Sequence, residues 1–258
     1  ALQPTTWSPS FVKKLSDCPF ATWAEYGLGL RPPEALDANP EARDIGQALH
    51  QLLEAFTTQY KTLTVAQTAA AQAAWHRLIG PTLNQLQAPS LATLWAPRLA
   101  KLGDLVINLM LAHTQAGRTV HAAEYAVAQP LGPQRRLKAR FDRLDHTPSG
   151  AVIVDYKTGY QLPTWPAVLS GDAPQLLLEA ALHRTTYPNT PVADLEYWHL
   201  HPKAERTVVS FISPKRSLDT LNEAITQAES FVATLADWLS TTPTVEPTPH
   251  GASALSLD

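Results

Sequence analysis

Apolar residues recur at helical spacing in several stretches before residue 117 and at alternating spacing in most of the stretches after it. SPSFVKKLSDC predicts a short helix with Ser8 as N-cap and Pro9 at the first helical position, ending near Cys18-Pro19. Residues 20–39, with Gly27, Gly29 and Pro32-Pro33, read as irregular. A helix over about 40–60 puts Ile45, Leu49, Leu52, Leu53 and Phe56 on one stripe, and helices follow over about 64–79 and 89–116, the last ended by Gly117. From Thr119 the segments VHAAEYAVA, RLKARFDRL and AVIVDYK are short and separated by Gly, Pro and Ser turns, which predicts a three-strand meander. QLLLEAALHRTTY then predicts a helix, ADLEYWHLH and RTVVSFI two strands, SLDTLNEAITQAESFVATLADWL a closing helix, and the Pro/Thr/Ser-rich residues 241–258 a mobile tail. The expected fold class is α/β: a small mixed β-sheet flanked by helices, with a helical N-terminal part.

Within that pattern one strand carries charges. In IVDYKTGY, alternation turns Asp155 and Lys157 to one face and Val152, Val154 and Tyr156 to the other. In RLKARFDRL, Leu137, Ala139 and Phe141 share a face opposite Lys138, Arg140 and Asp142. A hairpin pivoting between Pro148 and Ser149 sets Leu144 against Ile153 and Asp142 against Asp155. Carboxylates that close repel unless something positive lies between them. Lys157 can be that charge, as an ion pair on a strand face; a hard divalent cation on carboxylate oxygens can be it too. His50, with Gly46 one turn earlier, is either a packed helical histidine or a ligand. Glu124 is either the wet face of its strand or an accessory carboxylate.

Composition narrows the choice. The 258 residues are 45% hydrophobic, enough for one large domain, and the formal net charge of −3 is not that of a protein coating nucleic acid. Cations are local: Arg135, Arg136, Lys138, Arg140 and Arg143 fall within nine residues, as a solvated strand face or a phosphate-binding one, and Lys13 and Lys14 add two more on the first helix. One cysteine, Cys18, excludes an internal disulfide and a self-contained cysteine metal cluster. There is no run of 18 apolar residues, so no membrane partner is expected, and no GxxxxGK[ST] loop, so no bound nucleotide. The chain begins without methionine, which suggests a piece of a longer polypeptide.

GQALH at 46–50, RFDRLD at 140–145, IVDYKTG at 153–159 and PQLLLEA at 174–180, after an SPS…CPF opening, resemble in that order the motifs of RecB-like PD-(D/E)XK nucleases. They are most similar to the C-terminal nuclease domain of AddB-type helicase-nuclease subunits of the alphaproteobacterial kind. The resemblance implies a restriction-endonuclease-like core in one domain over residues 1–240, helical over about 7–117 and catalytic over about 118–240. It implies an Mg²⁺-dependent deoxyribonuclease, an exonuclease that processes double-strand breaks in recombination repair, with Mn²⁺ as a substitute ion. His50, Asp142, Asp155 and the Tyr156 carbonyl would bind the metal, Lys157 would be the catalytic lysine beside Asp155 and Asp142, and Gln175, Lys138, Arg140 and Arg143 would contact DNA. Glu179 stands where the family's Gln-x-x-x-Tyr helix has tyrosine. Some relatives hold an iron–sulfur cluster through four cysteines; with Cys18 alone, no cluster is expected. The implied partners are DNA and a helicase subunit or missing N-terminal portion, and the implied location is the bacterial cytoplasm, at the nucleoid. A nuclease fold kept as a DNA-binding scaffold without catalysis, and a stand-alone RecB-like nuclease acting on RNA or branched DNA, are the alternatives.

Overall fold

A two-residue strand, β1 (Thr6–Trp7), opens the fold and leads into α1 (Pro9–Asp17) and α2 (Pro19–Gly27). The structure, a computed structural model, describes residues 4–30, 41–86, 89–201 and 207–241. Of the tail expected over 241–258, Thr241 ends a helix and the rest lies outside these residues, as does the Pro32-Pro33 segment. Ser8 caps α1 through Phe11 N–H, as its position predicts. Cys18 does two jobs: it ends α1 and caps α2, its sulfur accepting from Ala21 N–H, with Pro19 at the first helical position. The expected irregular stretch therefore begins with a helix. The same proline that forbids continuing α1 is well suited to starting the next one.

The chain continues through α3 (Glu41–Gln59), α4 (Thr68–Asn84) and α5 (Pro89–Gln115) into the long strands β2 (Thr119–Leu131) and β3 (Arg135–Thr147) and the shorter β4 (Gly150–Lys157). After it come α6 (Trp165–Leu169), α7 (Gln175–Thr186), β5 (Val192–His199), β6 (Val208–Ser210) and α8 (Leu218–Thr241). The six strands form one mixed sheet in the order β1-β3-β4-β5-β6, with β2 along the other edge of β3. β2, β3 and β4 are the expected antiparallel meander, while β4–β5 and β1–β3 are parallel.

The hairpin between β3 and β4 turns on Pro148 and Ser149 and pairs Leu144 with Ile153, the register expected from its length. Gly150 starts β4 at φ +138°, and a Cβ there would meet Pro191 O at 2.2 Å, so only glycine fits the turn.

Two apolar layers sandwich the sheet. On one face Trp7, Phe11, Leu137, Phe141, Leu144 and Ile153 pack with the buried sides of α7 and α8. On the other, Val152, Val154, Tyr156 and Trp198 pack with Leu49, Leu53, Phe56, Trp75, Val106 and Met110 of α3, α4 and α5. β4 is apolar on both faces because both are covered. α1 belongs to the first layer and α3–α5 to the second, so the expected helical part is split across the sheet. That split places the C-terminal end of β4 where helices from both layers reach it.

Candidate active site

The β3–β4 ladder stops at Arg143↔Val154, one step short of the expected Asp142–Asp155 pair. Instead, Tyr156 N–H donates to Asp142 Oδ2 at 2.7 Å, so the Asp142 carboxylate caps the end of the ladder. Alternation along β3 also slips here. Leu137, Ala139 and Phe141 share a core layer with Leu144, although alternation would pair Phe141 with Arg143. Opposite the slip, Glu124 sits at φ +49° between the pairs Ala123↔Arg143 and Tyr125↔Phe141. A glutamate held in the left-handed region is strained, and strain of this kind concentrates where a side chain must be re-aimed.

Its carboxylate is aimed into a cluster. His50 Nδ1 lies 3.3 Å from Asp142 Oδ1 and 3.4 Å from Glu124 Oε1, and donor atoms of the three residues lie within 4.8 Å of one another. Gly46, one turn before His50 on α3, lets the β4 end approach: a Cβ there would stand 3.2 Å from Thr158 Oγ1. Burial opposes a charge on His50, but its hydrogen bonds to Asp142 and Glu124 outweigh that and push its pKa up to about 10. Without another cation, a proton thus sits between the two acids. Two carboxylates and an imidazole converging on one point are a donor set that fits a divalent ion.

Asp155 and Lys157 lie beside this cluster. Asp155 is 1% exposed, and Lys157 Nζ stands 2.7 Å from its Oδ2 and 3.0 Å from its Oδ1. Burial pushes the Asp155 carboxyl up to about 6 against the pull of the Lys157 ammonium, and the Asp142 charge adds to the rise. The amine also donates to Gln175 Oε1 at 3.2 Å, which brings the first residue of α7 to the site. Tyr156 keeps its ring in the α3–α5 layer, edge-on to His50.

Two clefts flank these residues. One, of about 510 Å³, is lined by Lys13, Arg140, Lys157, Gln175, Glu179 and Tyr197 among others. The other, of about 460 Å³, is lined by His50, Gln51, Glu54, Glu124, Arg140 and Thr158 among others. Arg140 borders both; it is 59% exposed and pairs through Nε with Glu124 Oε2 at 2.6 Å. Arg136 and Lys138 are exposed on the same face of β3. Arg135 turns back to the end of α8, donating to Ser240 Oγ and Ala236 O.

Arg143 departs from the expectation of a DNA contact. It is 1% exposed, donates to Asp145 Oδ1 at 2.7 Å and stacks its guanidinium over Trp198. The slip at Asp142 moves it from the layer of Phe141 to that of Trp198, and both layers are covered. Glu124, expected only as an accessory, is one of the three residues of the cluster. Its signal was present in the loop GPQ: pairing β2 with β3 about Pro133 sets residue 124 against 142.

Over 188 residues, 69% of its length, the chain is 23% identical to an uncharacterized protein of Rickettsia conorii, and it spans 22% of that protein's length. Its fold is similar to the crystal structure of a "Putative exonuclease" from Eubacterium rectale, with a TM-score of 0.48 and 10% identity over 90% of this chain and 80% of that one. Residues 6–252 match the family description of the PD-(D/E)XK nuclease superfamily, and the chain belongs to that superfamily.

Proposed function

We propose that the chain is a divalent-metal-dependent deoxyribonuclease, the nuclease module of an AddB-type helicase-nuclease that trims double-strand-break ends in the bacterial cytoplasm, at the nucleoid. A separate helicase subunit or further sequence would supply the motor and deliver the strand. One observation carries the reading: His50, Glu124 and Asp142 converge beside an Asp155–Lys157 pair where two clefts meet. Residues 1–240 act as one domain in this account, and cleavage is exonucleolytic.

Nucleases of this superfamily use divalent metals. His50, Asp142 and Asp155 would hold the ion, with the Tyr156 carbonyl and Glu124 completing its oxygen ligands; Mg²⁺ is the expected ion and Mn²⁺ a substitute. When bound, such an ion neutralises phosphate charge and makes a coordinated water more acidic. The chain's own groups do the rest. Lys157, pinned between Asp155 and Gln175, orients the attacking water and offsets negative charge gathering on the phosphate as the ester bond to the leaving oxygen breaks. Arg140 on the cleft wall and Lys138, exposed on the same face of β3, hold flanking phosphates, and Gln175 contacts the strand at the cleft wall.

The test is digestion of linear single-stranded DNA with Mg²⁺ or Mn²⁺ by wild type, Asp155→Ala and Lys157→Ala. Metal-dependent cleavage by wild type, with at least a hundredfold loss in both variants, is expected, since each substitution removes a group assigned to the transition state. Equal activity in all three overturns the reading. A folded wild type inert with every metal and with its partner present would make the fold a binding scaffold.

A further inference from the structure

Gln175 and Glu179 lie one turn apart on α7, so their side chains share a face. Gln175 uses both ends of its amide: Oε1 accepts from Lys157 Nζ at 3.2 Å, and Nε2 donates to Glu179 Oε1 at 3.2 Å. An amide is planar with a fixed polarity, so the two hydrogen bonds stand or fall together. Were Glu179 apolar, Gln175 would be free to flip and present its NH₂ to the Lys157 ammonium, a donor facing a donor.

Glu179 itself is 1% exposed, and its second oxygen is buried without a hydrogen-bond partner among the described residues. A buried, half-satisfied carboxyl costs stability, and an apolar residue of similar size would serve packing better. Something other than packing accounts for an acid here. We infer that Glu179 is a positioning residue that locks the Gln175 amide and, through it, holds the Lys157 amine against Asp155. Burial, then the nearby Asp155 and Asp142 charges, push the Glu179 carboxyl well above the usual range. The inference rests on the nuclease reading for its kinetic consequence, but the locked amide is a separate observable.

The experiment uses the full chain and the variants Glu179→Leu, Glu179→Gln, Gln175→Ala and Glu179→Leu/Gln175→Ala. The Gln175 side-chain NH₂ is followed by ¹⁵N NMR, and kcat and KM are measured on linear single-stranded DNA with Mg²⁺. Glu179→Leu is expected to release the NH₂ signal to the position and fast exchange of a free amide. It should lower kcat by about tenfold to a hundredfold, the range for a misplaced reacting group, with KM unchanged. Glu179→Gln, which keeps an oxygen acceptor, should restore both. The double variant should lose no more than Gln175→Ala alone, because Glu179 acts through Gln175. An unchanged NH₂ signal or an unchanged kcat in folded Glu179→Leu overturns the inference, as do multiplying losses in the double variant. Should wild type cut no DNA with any metal and with its partner present, the nuclease reading fails by itself, and the amide signal still decides whether Glu179 holds Gln175.

Discussion

Arg140 and Arg143 stand three residues apart on one strand and would be interchangeable in any count of positive charge. Their surroundings give them opposite work. Arg140 is exposed between the two clefts, whereas Arg143 is sealed against Asp145 and Trp198. Arg140→Ala should leave stability within about 0.5 kcal/mol while weakening DNA binding and lowering the slope of log K against log salt by about 1. Arg143→Ala should instead destabilise by about 3 kcal/mol, since Asp145 loses one of its two buried partners. Salt-dependent binding titrations and denaturant melts of the two proteins check both statements; equal effects from the two substitutions would refute the assignment. Strict alternation already puts 143 on the apolar face of Phe141 and 140 opposite it; what it misses is that Arg143 is buried against Trp198 in the other layer, because the strand slips between Phe141 and Leu144 opposite a strained Glu124 that no local propensity announces.

Among the elements, β4 and its hairpin were legible because a two-residue turn fixes register and because AVIV is apolar on both faces. β1 was not: two residues carry no period, and Thr6 and Trp7 are recognisable as strand residues only once Arg136 and Leu137 pair with them. Also unannounced was the ion network that ties α5 to the sheet. Just past α5, Arg118 donates through Nε to Asp145 Oδ2 on β3 and through both terminal nitrogens to Glu196 on β5, at 2.6–2.8 Å. Trp198 Nε1 donates to the same Glu196. All three charged residues are buried, and their partners lie far apart in sequence, which is why composition hides them. Replacing Arg118 by Met should cost about 3–5 kcal/mol, because buried Glu196 loses its counter-charge and buried Asp145 loses one of its two. Chemical denaturation measures it, and a change under 1 kcal/mol would mean the network adds nothing to the fold.

At the scale of the whole molecule, stability and function draw on the same sheet. No helix among the described residues is long and apolar enough to cross a membrane, and with a net charge of −3 the proposed DNA contact would fall to the local cations around the clefts. Acid sensitivity has an identifiable source. His113 on α5 packs against Trp198, and burial, then the Arg118 and Arg143 charges, lower its pKa to about 4. The unfolded chain takes up that proton near pH 6.5 and the folded one near 4, so the stabilisation is complete above 6.5 and is lost as pH falls toward 4. Asp194, raised to about 6 mainly by burial, titrates through part of that window with the opposite sign, so the informative quantity is the difference between wild type and His113→Phe. The variant should lose less stability than wild type between pH 7 and 4.5, and parallel curves would exclude His113 as the source. The proposed activity requires that His50, Asp142 and Asp155 bind one ion. Anomalous diffraction from Mn²⁺-loaded crystals measures that directly: a single peak at bonding distance, about 2.1 Å, from His50, Asp142 and Asp155 together is the predicted result. A fully loaded crystal with no peak among them, or with the ion elsewhere, would contradict it.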